Sequence, residues 1–349
     1  MKITAIASAF PAHDYAQETI TGALKLYWTG QMERPSVLAW LHGRVGVDSR
    51  HLAFPLEQYP RFKNWGEVNN AWIDVALQLG QQAFECCLRQ ASLTPAAPSA
   101  IFFNSITGIA SPSIDARLIN RMGLPLHIKR VPIFGLGCVA GAAGLARAAD
   151  YVRAFPDQYA ALVAVEVCSL TWQRDDTSVA NLISCGLFGD GASVVLIGGA
   201  ETPGGGPRIL GTQSSFYPDT EPVMGWDISE TGFKIVLSPE VPDVVRRYLA
   251  GDVDGFLAQH GLKRSDIGTW IMHTGGPKVL EAMAEALDLP EGALDASWQS
   301  LRQHGNISSV SVLLVLEEFM RNRRPAPGSY SVLAAMGPGF CAELLLLQW

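Results

Sequence analysis

The sequence predicts an α/β fold built from two similar halves, and three observations support this prediction. The 349 residues are 48% hydrophobic and only 17% charged, which is enough apolar material for a large buried core. Short apolar runs alternate with longer segments of helical spacing, as in βαβ units. A glycine-rich turn followed by an apolar strand occurs twice, as FGDGASVVLIG (188–198) and as GPGFCAELLLLQW (337–349), which indicates a weak internal duplication.

The elements of the first half follow from their spacing and flanking residues. The opening run KITAIASAF is typical of a strand. Apolar positions three and four residues apart predict a helix over about 68–89. Pro112 and Gly123 are placed to open and close a second helix. The remaining predictions are a buried strand at 99–107, apolar strands at 131–136, 161–170 and 191–200, a helix after Cys138, and a loop at 201–207.

The second half repeats this rhythm. TWIMH (269–273) is a short apolar strand, and the following GGP begins a helix that contains KVLEAMAEAL. HGNISS (304–309) precedes the apolar helix VSVLLVLEEFM. The last segment, YSVLAAM–GPG–FCAELLLLQW, predicts a hairpin.

Charge and cysteine usage exclude several classes of protein. The net charge is −7 and no basic run is dense enough to follow a phosphate backbone, so we expect no nucleic-acid partner. No apolar run approaches the roughly 20 residues that span a membrane, and the N-terminus does not resemble a signal peptide. Six cysteines, two of them adjacent, do not suggest a disulfide framework. We therefore expect a reduced, cytoplasmic protein without stable membrane insertion.

Cys138 is the first candidate for chemistry. It stands in GLGCVAGAAG (135–144), where an apolar strand meets a helix. A thiol at a helix N-terminus lies near the positive end of the dipole, which favours thiolate, and the glycines allow a substrate to approach closely. A free cysteine is most often a small buried hydrophobe, and position alone does not separate the two interpretations. We assign that structural role to Cys86, Cys87, Cys168, Cys185 and Cys341.

His273 and Asn306 are the second and third candidates. His273 follows the TWIMH strand, and ligands in α/β proteins bind at the carboxyl ends of strands. Asn306 precedes a helix, where asparagine is usually a cap, although its amide is also able to donate into a site. The chain has no HExxH and no paired Cys or His spacing, so we expect no metal.

The three residue types together suit one reaction class. A cysteine forms thioesters, and a histidine stabilises its thiolate. Histidine and asparagine N–H groups supply an oxyanion hole for an enolate. This set fits decarboxylative Claisen condensation, in which the loss of CO2 from a malonyl thioester produces the enolate without a strong base. Nucleotide binding is less well supported, because GLGCVAG is one residue longer than GxGxxG and no GxxxxGK[ST] occurs.

Five motifs, in order along nearly the whole chain, resemble a type III polyketide synthase of the chalcone-synthase-like family, bacterial type. They are GLGCVAGAAG (135–144), LFGDGASVVLIG (187–198), WIMHTGGPKVLEAM (270–283), HGNISSVSVLLVLEE (304–318) and GPGFCAELLLLQW (337–349). The resemblance implies a thiolase-like fold of five αβαβα layers from two duplicated halves, 1–205 and 206–349, that works as a homodimer. It also implies acyl-CoA starters and malonyl-CoA as substrates, with no cofactor, no metal and no carrier protein.

The resemblance also implies roles for individual residues. Cys138 matches the acyl-carrying nucleophile, and His273 and Asn306 match the decarboxylation pair. Phe188 and Phe233 match two gatekeeping phenylalanines between the CoA tunnel and the cavity. Arg44 matches a contact to CoA phosphate; Leu41 and Asp48 stand where plant enzymes carry lysines, and Arg50 is a substitute cation. The residues that match the cavity wall are Leu170, Met224 and Ser308. The Ser111–Pro112 peptide matches a cis bond at the dimer contact.

Alternatives remain open at this point. A ketoacyl-carrier-protein synthase of the third type shares Cys, His and Asn, but 85 residues separate Phe188 from His273 here, which is a long insertion. A papain-like protease has the same residue order, but Cys138 lacks the CGSCW context. A non-catalytic protein would need all three residues to coincide by chance. Within the polyketide synthase interpretation, we expect an alkylpyrone or alkylresorcinol-type product from a fatty acyl starter, with a chalcone or phloroglucinol-type product as the alternative.

Overall fold

A nine-stranded mixed sheet forms the centre of the computed structural model, which describes residues 1–32 and 34–349. The strands of the described residues are β1 (Lys2–Ala9), β2 (His13–Ala16), β3 (Ser49–Leu52), β4 (Pro98–Asn104), β5 (Lys129–Ile133), β6 (Tyr159–Val167), β7 (Asp190–Gly198), β8 (Arg208–Phe216), β9 (Met224–Ser229), β10 (Gly232–Leu237), β11 (Ile267–Met272), β12 (Tyr330–Gly337) and β13 (Cys341–Gln348). The order in the large sheet is β11-β12-β13-β8-β1-β7-β6-β4-β5, and the pairs β2–β3 and β9–β10 lie apart from it.

Helices connect these strands and cover both faces of the sheet. The α-helices of the described residues are α1 (Gln17–Tyr27), α2 (Ser36–His42), α3 (Trp65–Gln90), α4 (Ile114–Met122), α5 (Ala140–Ala154), α6 (Val179–Leu187), α7 (Val241–Gln259), α8 (Pro277–Leu287), α9 (Asp295–His304) and α10 (Ser311–Arg321). Short 3-10 turns occupy Tyr59–Arg61, Gly137–Val139, Cys168–Thr171, Glu221–Val223, Arg264–Asp266 and Ser308–Val310.

The large sheet consists of two similar parts that meet at one edge. In the first part, β5, β4 and β6 are parallel, and β7 and β1 continue the sheet antiparallel. In the second part, β11 and β12 are parallel, and β13 and β8 continue it antiparallel. A single residue pair, Lys2 with Arg208, joins β1 to β8. The repeated arrangement of parallel outer and antiparallel inner strands is what a duplicated unit produces.

Side chains alternate across the strands and divide the core into three layers. On β6, Leu162 packs in the central core with α5 and α10, whereas Val163 packs on the other face against α3. On β13, Leu345 belongs to the central core, whereas Leu344 packs with α7 and α8. Helices therefore lie outside the first part, between the two parts and outside the second part, which confirms the predicted αβαβα layering.

The two central helices come unusually close at Gly141. A Cβ atom at this position would lie 2.1 Å from the carbonyl oxygen of Ser309, so a larger residue would force the backbones apart. This close approach brings the turn that carries Cys138 next to the turn that follows Asn306.

Several sequence-based predictions are confirmed. The helix expected over 68–89 is α3, whose first turn is capped by the side chain of Asn64, which accepts a 3.0 Å hydrogen bond from the Glu67 N–H. The helix at 112–123 is α4, and Gly123 ends it with a positive φ of 64°. The C-terminal hairpin is the antiparallel pair β12–β13, and the Ser111–Pro112 peptide is cis.

Three strand predictions were too long. The strand expected at 131–136 ends at Ile133, because Gly135 and Gly137 take positive φ angles of 95° and 53° and turn the chain. It forms an exposed edge of the sheet. The strand expected at 161–170 ends at Val167, where the Asp190 carboxylate accepts the Ser169 N–H at 2.8 Å and stabilises a 3-10 turn.

The strand expected at 99–107 ends at Asn104, because the hydroxyls of Ser105 and Thr107 donate to the buried carboxylate of Glu166.

In the described residues, no helix has the length and apolar character needed to cross a membrane. The same residues contain no group of three or more His, Cys, Asp or Glu side chains able to hold a metal ion.

Candidate active site

Cys138 lies in the 3-10 turn Gly137–Val139, directly before α5. Its side chain is buried, with 6% of the residue exposed. A Cβ at Gly137 would meet the Pro338 ring at 2.9 Å, so the glycine lets a loop of the second half close over the turn. The thiol therefore sits where the N-terminus of a central helix meets the other half of the chain.

His273 follows the last residue of β11. Its backbone N–H donates to the carbonyl of Ala334 at 3.0 Å, which extends the pairing with β12 and fixes where the side chain leaves the sheet. The residue is 3% exposed, and its Nδ1 atom has no hydrogen-bond partner among the described residues. The ring still lines the cavity described below, so its accessible edge is available to a substrate.

Asn306 lies between α9 and the 3-10 turn that begins α10. Its Oδ1 atom accepts hydrogen bonds from the Ser308 N–H at 2.8 Å and from the Ser311 hydroxyl at 3.3 Å. These two bonds orient the amide, and Nδ2 donates to the Gly275 carbonyl at 3.4 Å. An amide nitrogen has two hydrogens, and the second N–H faces the Cys138 sulfur, where a bound group is able to accept it.

The three side chains line one cavity of about 450 Å³. Cys138 comes from the first half of the chain, whereas His273 and Asn306 come from the second. The only charged side chains that line this cavity in the described part of the chain are those of Arg44 and Lys278. The site is thus a largely apolar chamber with a thiol, an imidazole, an amide and two cations, and it suits a long anionic thioester.

Burial dominates the electrostatics of the thiol and the imidazole. It raises the pKa of Cys138 to about 12, against the lowering effect of hydrogen bonds from the Ser308 and Asn306 side chains. It also lowers the pKa of His273 to about 4. The expected thiolate character from the helix N-terminus is therefore outweighed by desolvation. When a proton moves from the thiol to the imidazole, a thiolate and an imidazolium form side by side. Each charge stabilises the other, whereas either charge alone would be buried without a partner.

Five of the proposed site residues reach the main cavity. Besides the three candidate catalytic residues, these are Arg44, which is exposed, and Met224, which is half-buried at the start of β9. The sequence analysis therefore selected residues from five separate segments that the fold brings to one chamber.

Ser308 does not line the cavity wall but lies directly behind it. Its backbone takes a positive φ of 46°, which is uncommon for serine. In this conformation the Ser308 N–H donates a hydrogen bond to the Asn306 Oδ1 atom, and the Ser308 side chain hydrogen-bonds to the Cys138 thiol. Ser308 therefore contacts both the nucleophile and one of its candidate partners.

The two predicted gatekeepers, Phe188 and Phe233, and the predicted wall residue Leu170 do not line the main cavity. Phe188 pairs through its backbone with Asn306 and lines a neighbouring apolar pocket of about 90 Å³. Phe233 is 3% exposed and packs edge-on against Trp65, with ring centroids 5.7 Å apart. Leu170 is buried in the core beneath α3 and borders a surface pocket.

Arg50 was considered as a substitute phosphate contact, and the structure contradicts this. The residue is 1% exposed, and its guanidinium donates to the backbone carbonyls of Phe188, at 2.9 Å, and of Cys185. Burial lowers its pKa to about 10. Arg50 therefore holds the end of α6 in place and does not face a ligand.

Sequence reasoning missed two charged residues near the site. Lys278 lies in the first turn of α8, directly after the GGP motif, and lines the cavity. Glu166 is fully buried on β6 and accepts hydrogen bonds from three hydroxyls and one backbone N–H. A lysine after GGP was visible in the sequence, but a glutamate inside an apolar strand gives no sign of its distant partners.

Comparison with family models matches both halves of the chain. The model of chalcone and stilbene synthases, N-terminal domain, matches residues 57–201, and the model of chalcone and stilbene synthases, C-terminal domain, matches residues 209–349.

Individual proteins match over almost the full length. The chain is 49% identical over 350 residues to a 1,3,6,8-tetrahydroxynaphthalene synthase of Streptomyces peucetius subsp. caesius, covering 99% of this chain and 93% of that one. It is 34% identical to a putative chalcone synthase of Bacillus subtilis, covering 99% and 98%. The crystal structure of the bacterial type III polyketide synthase 1,3,6,8-tetrahydroxynaphthalene synthase of Streptomyces coelicolor A3(2) superposes with a TM-score of 0.95 at 30% identity, covering 100% and 99%.

Proposed function

The chain belongs to the chalcone and stilbene synthase family and is a malonyl-CoA-dependent condensing enzyme of the type III polyketide synthase class. From this premise we propose that Cys138 carries the growing acyl chain and that His273 and Asn306 hold the enolate. Members of this class act on CoA thioesters without a separate cofactor. The observation that carries the proposal is the convergence of the three side chains, from both halves, on one cavity.

In the loading step, the Cys138 sulfur attacks the carbonyl carbon of an acyl-CoA. The new C–S bond forms, the bond to the CoA sulfur breaks, and the thiol proton passes to the departing CoA thiolate. His273 is the group available to carry this proton, because its imidazole lines the same cavity as Cys138.

In the extension step, malonyl-CoA loses CO2, and the electron pair of the broken C–C bond remains as an enolate. His273 and the Asn306 N–H that faces Cys138 donate to the enolate oxygen. The enolate carbon then attacks the Cys138 thioester, so a C–C bond forms, the C–S bond breaks, and the thiolate is released for the next cycle. The acyl chain, now two carbons longer, remains attached to CoA.

We further propose an aromatic product of the tetrahydroxynaphthalene type, made from malonyl-CoA alone. Support comes from the relative with 49% identity, whose name specifies this product. The ten carbons of a naphthalene skeleton correspond to five malonyl-derived units, with loss of five CO2, five CoA and one water. The alkylpyrone or alkylresorcinol product expected from the sequence has no support from that relative and serves as the alternative outcome of the test.

Arg44 and Lys278 are proposed to bind CoA phosphates. They are the two charged side chains of the described cavity lining, and both are exposed. Cations that face phosphate without a competing carboxylate bind it most effectively. Replacing Arg44 and Lys278 by alanine should raise the KM for malonyl-CoA and leave kcat nearly unchanged.

We propose that the two halves of the chain are residues 1–205 and 206–349. We also propose that the enzyme works as a homodimer in which β5 forms the contact between subunits. β5 is an edge of the large sheet, and Val131, Phe134 and the nearby Ile109 are exposed. An open edge strand beside exposed apolar side chains is a common pairing surface. Analytical ultracentrifugation should find a dimer that Val131→Lys weakens, whereas Leu26→Lys, at an exposed position on α1, should not.

The main test is incubation with malonyl-CoA alone and with a panel of starter CoAs, with products identified by mass spectrometry. Peptide mapping after brief incubation should find the acyl group on the peptide that contains Cys138, and Cys138→Ala should abolish turnover. An acyl group on Cys168 or Cys341 with Cys138 free would contradict the assignment. Alkyl-substituted products formed faster than the naphthalene product would restore the sequence-based expectation.

A further inference from the structure

We propose that Trp40 is the platform on which the adenine ring of the CoA substrates stacks, so that this residue selects for the nucleotide end of the substrate. The inference rests on the proposed use of CoA thioesters. Its support comes from the position of Trp40, its contact with Arg44 and the charge of the cavity.

Trp40 is exposed where a tryptophan is not expected. α2 buries Leu38, Leu41 and His42, whereas Trp40 projects with 57% of its surface exposed. In the described residues it is the only tryptophan in the exposed class. It lines the same cavity as Cys138, which is 6% exposed. Because Trp40 is much more exposed than Cys138, we place Trp40 at the mouth of the cavity and Cys138 at its inner end.

Arg44 holds the Trp40 ring from one side. Its guanidinium carbon lies 4.4 Å from the ring centroid, a cation–π contact between residues one helical turn apart. The contact fixes the orientation of the ring and places a positive charge beside it. An aromatic ring next to a cation is the arrangement that a nucleotide needs, because the base stacks while the neighbouring phosphates meet the charge.

The charge of the cavity determines which end of the substrate lies here. Arg44 and Lys278 are the only charged residues of its described lining, although the whole chain carries a net charge of −7. When the thioester carbonyl reaches Cys138, the phosphates of CoA extend toward these cations. Adenine is joined to the phosphates through ribose, so it lies beside Arg44, where Trp40 is exposed.

The test compares two substrates that differ only in the nucleotide. Malonyl-CoA carries three phosphate groups, a ribose and adenine, whereas malonyl-phosphopantetheine keeps the thioester, the pantetheine arm and one phosphate. Arg44→Ala, assayed with the same two substrates, measures the part of the difference that comes from the additional phosphates. Trp40→Ala should raise the KM for malonyl-CoA about tenfold, by loss of one base–aromatic stack, and leave the KM for malonyl-phosphopantetheine unchanged. Trp40→Phe keeps a ring and should recover most of the affinity. Leu126→Ala, at a position that is 95% exposed and outside the cavity lining, is the matched control.

Two results would overturn the inference. An increase for malonyl-CoA that Trp40→Ala no longer produces in the Arg44→Ala background, or equal increases for both substrates, would mean that Trp40 acts by holding Arg44 on a phosphate. No increase for either substrate would mean that Trp40 does not contact the substrate. Calorimetric titration with CoA and with phosphopantetheine gives the same comparison without turnover. A wild-type protein that releases no CO2 from malonyl-CoA would reject the proposed function, whereas the titration would still decide the role of Trp40.

Discussion

The carboxylate of Glu166 accepts a 2.6 Å hydrogen bond from the hydroxyl of Ser309. This bond joins the first half of the sheet to the turn that follows Asn306. The other carboxylate oxygen accepts from the Ser105 and Thr107 hydroxyls and from the Ile106 N–H at 3.0–3.2 Å. A fully buried side chain thus ties two loops together behind the cysteine and its partners, and we assign it a positioning role.

Glu166→Gln should destabilise the protein and impair turnover. The amide that replaces one carboxylate oxygen is a donor, and it would face groups that are themselves donors. The loss should be about 1–3 kcal/mol in the free energy of unfolding, the usual effect of an unsatisfied buried group, measured by urea denaturation. Ser309→Ala removes one of the four donors and should cost less. Equal stability of Glu166→Gln and wild type would refute the network.

Glu166 should also make stability fall as the pH rises. Burial raises its pKa from the ordinary 4.5 to about 7, so the folded state binds a proton more tightly than the unfolded state. The associated stability is fully present below pH 4.5 and is lost as the pH rises through 7. Urea denaturation at pH 5 and pH 8 should show a decrease for wild type that is smaller in Glu166→Gln. An unchanged decrease would assign the titration to another group.

His273 and Asn306 should have different effects on the two half-reactions. Loss of one enolate donor should reduce turnover about 10²–10³-fold in both His273→Ala and Asn306→Ala. Loading of the starter on Cys138 should be impaired more in His273→Ala, because only the imidazole is able to accept the thiol proton. Single-turnover loading, followed by mass spectrometry of the protein, measures this step. Equal loading defects would argue against this division of roles.

Ser308→Ala should make Cys138 less reactive. The Ser308 side chain lowers the pKa of the thiol as a hydrogen-bond donor, and its removal leaves burial less opposed. We expect slower alkylation of Cys138 by iodoacetamide at pH 7.5, read from the peptide that contains it, with the fold unchanged. Ser300→Ala, a buried serine on α9 outside the cavity lining, is the control. Alkylation at the wild-type rate would show that the contact does not influence the thiol.

Phe233→Ala tests the proposed gatekeeper against its observed packing. The ring is buried beside Trp65 and Trp226, so truncation should cost about 3–5 kcal/mol of stability through the void it leaves. As a gate, the ring should also restrict the starters, and its loss should admit bulkier acyl-CoAs and change the product lengths. Thermal unfolding and product analysis separate the two effects. A destabilised variant with the parent product spectrum would leave Phe233 with packing alone.

Features that depend on local spacing were predictable, whereas those that depend on distant partners were not. α3 and the β12–β13 hairpin follow from periodicity and turn residues, and their predictions are confirmed. The end of β6 depends on the hydrogen bond between Ser169 and Asp190, which lie 21 residues apart. The residues around Ser169 do not indicate that this partner exists. Glu166 similarly finds Ser309 143 residues away.

The candidate site shows the same division. Cys138, His273 and Asn306 each stand in a recognisable motif, so their meeting was predictable from a resemblance. Arg50 resembled a surface cation in the sequence, but the fold buries it against two carbonyls. The exposure of Trp40 became visible only when the packing of α2 was known, because helical spacing alone does not say which face is covered.

The division of the site between the two halves has a consequence for biosynthesis on the ribosome. The segment that carries Cys138 leaves the ribosome well before those that carry His273 and Asn306. A nascent chain of that length holds Cys138 without the two residues that we propose as enolate donors. The proposed site is therefore complete only when the segments of the second half have folded onto the first half.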